Sequence, residues 1–133
     1  KLADQKAALR NFHSALRRGG KLALNFYVPR FEVICERYGQ PEKRTFTQNG
    51  CEYIMRRVTS VDNEVKQVIK IEQSLKQADE TLREETIRLA LISKAEFELL
   101  LEMTGWSDWI GYGGFDREPL EDGAREMVWI AEK

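Results

Sequence analysis

The stretch LRRGGKLALNFYVP, Leu16–Pro29, decides the fold because it contains the end of a helix, a glycine pair and a strand. Gly19 and Gly20 predict the end of the helix, since glycine adopts the left-handed backbone conformation at little cost. The run that follows, Leu22–Val28, is apolar on both faces except at Asn25. Such a run indicates a strand covered on both sides, as in the centre of a parallel sheet. Together these features predict the second half of a β-α-β unit.

The residues on either side extend this pattern. Apolar side chains in Leu2–Leu16 recur at a spacing of about 3.6 residues, which predicts a helix, and Asp4 is suited to cap its first turn. The first strand of the β-α-β unit is absent from the sequence. Phe31–Tyr38 fits a short helix or a strand equally well. The rest of residues 29–50 is expected to be irregular, because glycine and proline interrupt it.

The alternation of residue types in the middle of the chain predicts an antiparallel meander of three strands. The first strand covers Cys51–Thr59 and the last covers Leu82–Ile92. Between them, apolar residues in Val65–Leu75 alternate with lysines, which is typical of a half-buried strand. Asp62-Asn63 and Gln77–Asp79 are the expected turns.

A three-residue turn at Gln77–Asp79 would set the register of this meander. It places Ile87 opposite Ile69 and Leu91 opposite Val65, so that the odd-numbered positions share the buried face. We expect this sheet to be separate from the sheet that contains the Leu22–Val28 strand. The predicted buried set comprises Val65, Ile69, Ile71, Ile87 and Leu91.

A second helix is predicted to begin at Ser93, because Ser93–Glu96 fits a capping box in which hydroxyl and carboxylate satisfy each other's backbone donors. Gly105 is the expected glycine at its C-terminal end. Two further strands are predicted, Trp106–Tyr112 and the final strand Glu126–Ala131, joined by a polar loop.

Composition and charge limit the classes of function. The 133 residues are 42% apolar and 32% charged, which is typical of a single globular domain. A net charge of −1 offers no electrostatic footprint for nucleic acid. No apolar run reaches the roughly 18 residues of a membrane span, and no signal peptide opens the chain. We therefore expect a cytoplasmic protein that binds neither nucleic acid nor membranes.

Metal and disulfide chemistry have little support in the sequence. Cys35 and Cys51 match no metal-ligand spacing, so both are expected to be reduced thiols. His13 is the single histidine, which excludes a zinc site built on several imidazoles. No metal site is therefore expected.

Three segments, in this order, resemble the C-terminal half of a class I S-adenosylmethionine-dependent methyltransferase: Leu16–Pro29, Ser93–Trp106 (SKAEFELLLEMTGW) and Arg125–Lys133 (REMVWIAEK). In that family they correspond to the helix before strand five with strand five, to the last helix, and to the final strand between strands five and six. The resemblance implies a partial Rossmann-like α/β fold, with strands 5-7-6, in one domain of residues 1–133. Residues 31–92 would be an antiparallel insert, a lid or a dimerisation meander.

The same resemblance implies transfer of a methyl group from S-adenosylmethionine to a small molecule. The family binds this cofactor through a glycine-rich turn after strand one and an acidic residue at the end of strand two. The sequence contains neither, so no cofactor-binding residue is assigned, and we expect no cofactor binding or activity from this chain alone. A start at Lys1 rather than methionine fits a cleaved or subcloned piece. The Leu22–Val28 strand would have an unpaired edge in this chain, which predicts a homodimer or a strand-exchanged assembly.

Candidate substrate-binding residues lie where ligands of such sheets bind, beyond the carboxyl ends of the parallel strands, and in the meander. The set comprises Asn25, Tyr27, Arg30, Arg88, Tyr112 and Phe115. Packing, or an amide bonded to backbone, is the alternative role for the aromatic residues and Asn25. Arg88 would either bind an anionic substrate or pair with a carboxylate of the meander. The catalytic residues stay unknown, because methyl transfer depends mainly on alignment of the reacting atoms.

Two other functions stay open at this point. The chain could form an α+β cup that binds a ligand, although such cups usually end in a long helix and this chain ends in a predicted strand. It could also be an interaction domain whose meander mediates dimerisation without chemistry. A glycine-rich strand–turn–helix encoded upstream of Lys1 would discriminate in favour of the methyltransferase.

Overall fold

The computed structural model of the chain describes residues 2–133. The chain divides into two compact units, one comprising the residues up to Arg30 with Ile92–Lys133 and the other comprising Phe31–Leu91. The elements of the described residues are α1 (Leu2–Ala15), β1 (Lys21–Tyr27), α2 (Phe31–Arg37), β2 (Pro41–Gln48), β3 (Cys51–Asn63), β4 (Val68–Gln77), β5 (Glu80–Ala90), α3 (Lys94–Thr104), β6 (Asp108–Tyr112) and β7 (Glu126–Glu132). Within residues 2–133, no helix combines the length and the apolar character needed to cross a lipid bilayer.

The first unit contains a three-stranded sheet with the order β1-β7-β6. The last strand of the chain, β7, lies in the middle and is antiparallel to both neighbours. Because β1 and β6 both run opposite to β7, they are parallel to each other, and their carboxyl ends lie at the same end of the sheet. The predicted α/β fold with a separate antiparallel sheet is confirmed, since β2–β5 form a sheet of their own.

β1 is an edge strand with one exposed face. Among residues 2–133 it pairs only with β7, which is the unpaired edge that the sequence analysis expected, whereas the predicted cover on both faces is wrong for the described chain. The even-numbered residues of β1 pack against the core, whereas Ala23, Asn25 and Tyr27 are exposed. The reason is that α1 and α3 contribute to the same core and cover the same face of the sheet.

Aromatic packing joins this sheet to α3. The ring of Phe97 lies between those of Phe26 and Trp129, at centroid distances of 4.7 Å and 5.2 Å. Trp129 and Leu101 are fully buried. Gly111 of β6 lies opposite Trp129, and a Cβ at this position would approach the indole ring to 3.1 Å. A glycine is therefore needed where the indole covers β6.

The two ends of α3 are those that the sequence predicts. Ser93 is the N-cap, and its side chain accepts a hydrogen bond of 3.2 Å from the backbone N–H of Glu96. Gly105 has a φ of 89°, and its N–H donates to the carbonyl of Glu102 at 3.3 Å. Both caps satisfy backbone groups that a helix leaves unpaired at its ends, which is why local sequence is sufficient to locate them.

The second unit contains a four-stranded antiparallel sheet with the order β2-β3-β4-β5. The predicted meander corresponds to its last three strands, while β2 lies in a segment predicted to be irregular. All eight residues of β2 are exposed. A strand with no buried face needs no alternating apolar residues, and the sequence of β2 therefore lacks the pattern that predicts a strand. It pairs with β3 across the two-residue turn Asn49-Gly50, in which both residues have positive φ. The preceding segment, left open between helix and strand, forms α2.

The predicted register between β4 and β5 is wrong by two residues. The chain reverses over two residues instead of three, and an irregularity follows Leu75, so that Ile87 lies opposite Ile71 rather than Ile69. A shift of two residues leaves each side chain on its face, because successive side chains alternate. Ile69 and Ile71 are accordingly buried as predicted, whereas Ile87 is 36% exposed.

Val65 lies outside the sheet. The chain turns after Asn63, whose Oδ1 accepts a hydrogen bond of 2.8 Å from the backbone N–H of Lys66. Val65 is 95% exposed in this turn, and the backbone N–H of Leu91 donates to the carbonyl of Gln67 at 2.8 Å. The predictions that Val65 is buried opposite Leu91, and that the turn lies at residues 62–63, are therefore wrong.

Candidate functional site

Three of the predicted site residues lie together on the exposed face of the sheet in the first unit. Asn25 of β1 and Tyr112 of β6 are both opposite Val128 of β7, and Tyr27 follows Asn25 two positions later on the same face. These positions are at the carboxyl ends of β1 and β6. That end of an α/β sheet is where such folds bind their ligands.

Glu126, at the start of β7, joins this group. Its Oε2 accepts a hydrogen bond of 3.3 Å from Nδ2 of Asn25, and Tyr27 lies opposite it in the sheet. The sequence did not identify Glu126 as a site residue, although the alternation of the final strand places it on the same face as Val128. Below, the polar patch denotes Asn25, Tyr27, Tyr112 and Glu126.

The polar patch offers hydrogen-bonding groups of both kinds. The amide of Asn25 can donate and accept, the two phenols can do the same, and the carboxylate of Glu126 accepts. Tyr27 is 62% exposed, and a ligand could therefore reach it. Among the described residues, no group of three or more His, Cys, Asp or Glu side chains is placed to hold a metal ion.

Phe115 and Arg30 lie beyond the same end of the sheet. Phe115 is in the loop after β6 and is 70% exposed. This loop folds back, since Tyr112 forms an isolated β-bridge with Pro119. Arg30 follows β1 and is half-buried. Their roles in substrate binding stay predictions.

Arg88 belongs to β5 in the second unit. Its Nε donates a hydrogen bond of 3.2 Å to Oδ2 of Asp62, which is the pairing with a meander carboxylate that the sequence analysis held open. The side chain is 59% exposed. An additional role in binding an anionic substrate stays a prediction.

An apolar cavity of about 180 Å³ lies in the first unit, next to the unpaired strand β1. α1, β1 and α3 all contribute to its wall, and among the described residues Gln5 is the only polar one that lines it. The lining residues are Gln5, Ala8, Leu9, Phe12, Leu24, Phe26, Ile92, Phe97 and Leu100. The cavity shows that the covered face of the sheet is incompletely filled along β1.

No family model and no curated protein matches the chain, but solved structures match nearly all of it. The CcbJ methyltransferase from Streptomyces caelestis has a TM-score of 0.73 and 15% identity, with 98% of this chain and 53% of CcbJ covered. An S-adenosylmethionine-dependent methyltransferase from Clostridium acetobutylicum has a TM-score of 0.73 and 9% identity, with coverages of 99% and 52%. CalS10, an amino pentose methyltransferase from Micromonospora echinaspora solved with S-adenosylmethionine bound, has a TM-score of 0.69 and 15% identity, with coverages of 100% and 52%.

The chain shares the fold of about half of each of these methyltransferases. The resemblance predicted from the sequence is thereby confirmed at the level of the fold. The chain spans about half the length of these methyltransferases.

The glycine-rich stretch Gly111–Gly114 of this methyltransferase fold does not fit S-adenosylmethionine. The N–H of Gly113 donates to the carbonyl of Glu118 at 2.8 Å, and a Cβ on Gly113 would lie 2.4 Å from the carbonyl oxygen of Pro119. The loop therefore closes on itself. A nucleotide cradle needs a helix that begins at the turn, and the next element here is β7. We assign no cofactor contact to this stretch.

Proposed function

We propose that the chain supplies the substrate-binding part of an S-adenosylmethionine-dependent methyltransferase that acts on a polar small molecule. The observation that carries the proposal is the polar patch at the carboxyl ends of β1 and β6 within a methyltransferase fold. The coverage of about half of each matched methyltransferase supports the view that the cofactor-binding elements lie outside these 133 residues.

The polar patch suits the positioning of a methyl acceptor. The cofactor would supply the methyl group, and the contribution of this chain would be to align the acceptor, which accounts for much of the rate in reactions of this kind. Asn25 and Glu126 already form one hydrogen bond, and both retain capacity for partners on a ligand. An acceptor with hydroxyl or amine groups matches these side chains. An amino sugar is one such class, by analogy with the amino pentose methyltransferase CalS10.

A second function, assembly through β1, is favoured by the unpaired edge of this strand. β1 is seven residues long, and Leu22–Tyr27 contains neither proline nor a charged residue. Native proteins usually shorten, charge or cover such an edge, because it is a template for another strand. The apolar cavity beside β1 also needs cover. A second copy of the chain, paired along β1 or exchanging α1, is our proposed occupant of this edge.

Isothermal titration of the 133-residue chain with S-adenosylmethionine is expected to show no binding in the micromolar range. The reason is that the one glycine-rich stretch of the sequence closes on itself and precedes a strand. A longer product of the same gene, if it encodes a glycine-rich strand–turn–helix before Lys1, is expected to bind the cofactor. Micromolar binding by the 133-residue chain would refute the proposed division of the site.

Light scattering is expected to give a particle of about twice the 15.5 kDa chain mass, because two-fold pairing closes the β1 edge in both copies. Ala23→Lys should shift the particle toward monomer, since a lysine on a strand edge opposes pairing. Ile110→Lys is the matched control, on the same face but in β6 at the other edge, and should leave the dimer intact. A wild-type monomer at high micromolar concentration would rule out this assembly.

A further inference from the structure

A polar row crosses an otherwise largely apolar face of the sheet in the second unit. The row comprises Glu42, Arg57, Gln73 and Glu85, which lie opposite one another on β2, β3, β4 and β5. The next row on the same face contains Ile71 and Ile87. Arg57 and Gln73 are half-buried, so the row is set among partly desolvated groups.

The carboxylate of Glu85 is already occupied. Its Oε1 accepts a hydrogen bond from Nε2 of Gln73, and its Oε2 is paired with the guanidinium of Arg83. Glu42 lies opposite Arg57 on the other side, and in the described part of the chain the two side chains form no ion pair. Among residues 2–133, the acidic members of the row therefore form no ion pair with Arg57.

The Nε of Arg57 is buried and has no hydrogen-bond partner among the described residues. A buried donor without an acceptor is unfavourable, and native structures usually satisfy such groups with protein, water or a ligand. A guanidinium is also always charged and presents its N–H groups in a planar fork that matches an oxyanion. The Nε–H of Arg57 can therefore donate a hydrogen bond to an acceptor that the described residues do not supply.

Tyr38, which follows α2, carries a second potential donor, because its phenol lies within the electrostatic influence of Arg57. Burial raises the pKa of its phenol, and the nearby charge of Arg57 lowers it to a smaller extent. The phenol therefore stays protonated at neutral pH and keeps its O–H available for donation. Its own backbone position is held close to β3, because the N–H of Gly39 donates to the carbonyl of Thr59 at 2.7 Å.

We infer that Arg57 and Tyr38 form a binding site for the oxyanion group, carboxylate or phosphate, of a small-molecule ligand. Hydrogen bonds from a guanidinium to an ionised oxygen are about twice as strong as those between neutral groups. The inference does not depend on the proposed methyltransferase function, because every residue of the site belongs to the second unit. It would hold equally for an interaction domain.

Proton–nitrogen correlation spectra of the isotope-labelled chain can test this site directly. The Nε–H signal of Arg57 should be visible, because burial slows its exchange with water. Inorganic phosphate, acetate and chloride are titrated at constant ionic strength. We expect a saturable shift of this signal with phosphate or acetate, and none with chloride. The better of the two oxyanions identifies the ligand group, and no saturable shift with either would overturn the inference.

Two neighbouring arginines provide a matched control. Arg56 and Arg57 are adjacent in β3, so their side chains lie on opposite faces. Arg57→Gln should weaken oxyanion binding by about tenfold or more, followed through the backbone amide of Gln73, whereas Arg56→Gln should change it by less than about twofold. Tyr38→Phe should weaken binding to an intermediate extent. Equal losses in the two arginine variants would show non-specific attraction and contradict the site.

Discussion

Replacing Trp129 with alanine is expected to lower the free energy of unfolding of the first unit by about 3–5 kcal/mol. Trp129 is 1% exposed, lies in the central strand, and packs on Phe97. Its indole Nε1 has no hydrogen-bond partner among residues 2–133, so the loss comes from packing and the cavity that remains. Denaturant unfolding followed by near-ultraviolet circular dichroism measures the change.

Ile110→Ala is the control for this substitution. Ile110 lies in the same sheet but on the opposite face, and it is 49% exposed. We expect a change within about 0.5 kcal/mol, as for most substitutions away from the core. The comparison is made at concentrations where the chain is monomeric. A decrease in the free energy of unfolding at Ile110 as large as that at Trp129 would mean that the face of the sheet carrying Ile110 is also covered.

Leu101→Ala is expected to cost about 2–5 kcal/mol, because Leu101 is fully buried between α3 and the sheet. Leu99→Ala removes the same atoms two residues earlier in the same helix, where the side chain is 55% exposed. Since alanine has the better helix propensity, this control should be neutral to slightly stabilising. Thermal and urea unfolding of the two variants measures the difference.

Equal destabilisation by the two substitutions would contradict the orientation of α3 in this structure. Because the pair has identical chemistry and the same helix, helix propensity cancels in the difference between them. The remaining difference reports burial alone. The same pair also tests the core of the first unit independently of any cofactor or partner.

Local signals made the ends of the elements predictable. The glycine pair after α1, the Ser93 cap and Gly105 each satisfy or terminate the backbone through residues within one helical turn. The alternation in β4 likewise predicted the faces of Ile69 and Ile71, because the period of a strand is two residues. These features need no knowledge of the rest of the chain.

Pairing between distant segments could not be predicted in the same way. The hydrogen bond from Asn25 to Glu126 joins residues 101 positions apart, and it exists because β7 returns to lie beside β1. The register of β4 with β5 depended on an irregularity after Leu75 that has no clear signal in the residues. β2 is a strand only because β3 offers it a partner.

The sequence by itself therefore determined the type and order of most elements, the caps of α3 and the resemblance to a methyltransferase. Only the tertiary structure decided that β1 has an exposed face, that Glu126 joins Asn25, and that the Nε of Arg57 has no acceptor among residues 2–133. The physical reason is the separation along the chain over which each kind of interaction acts. Caps, breakers and alternation act within a few residues, whereas burial and hydrogen-bond partners depend on which distant strands come together.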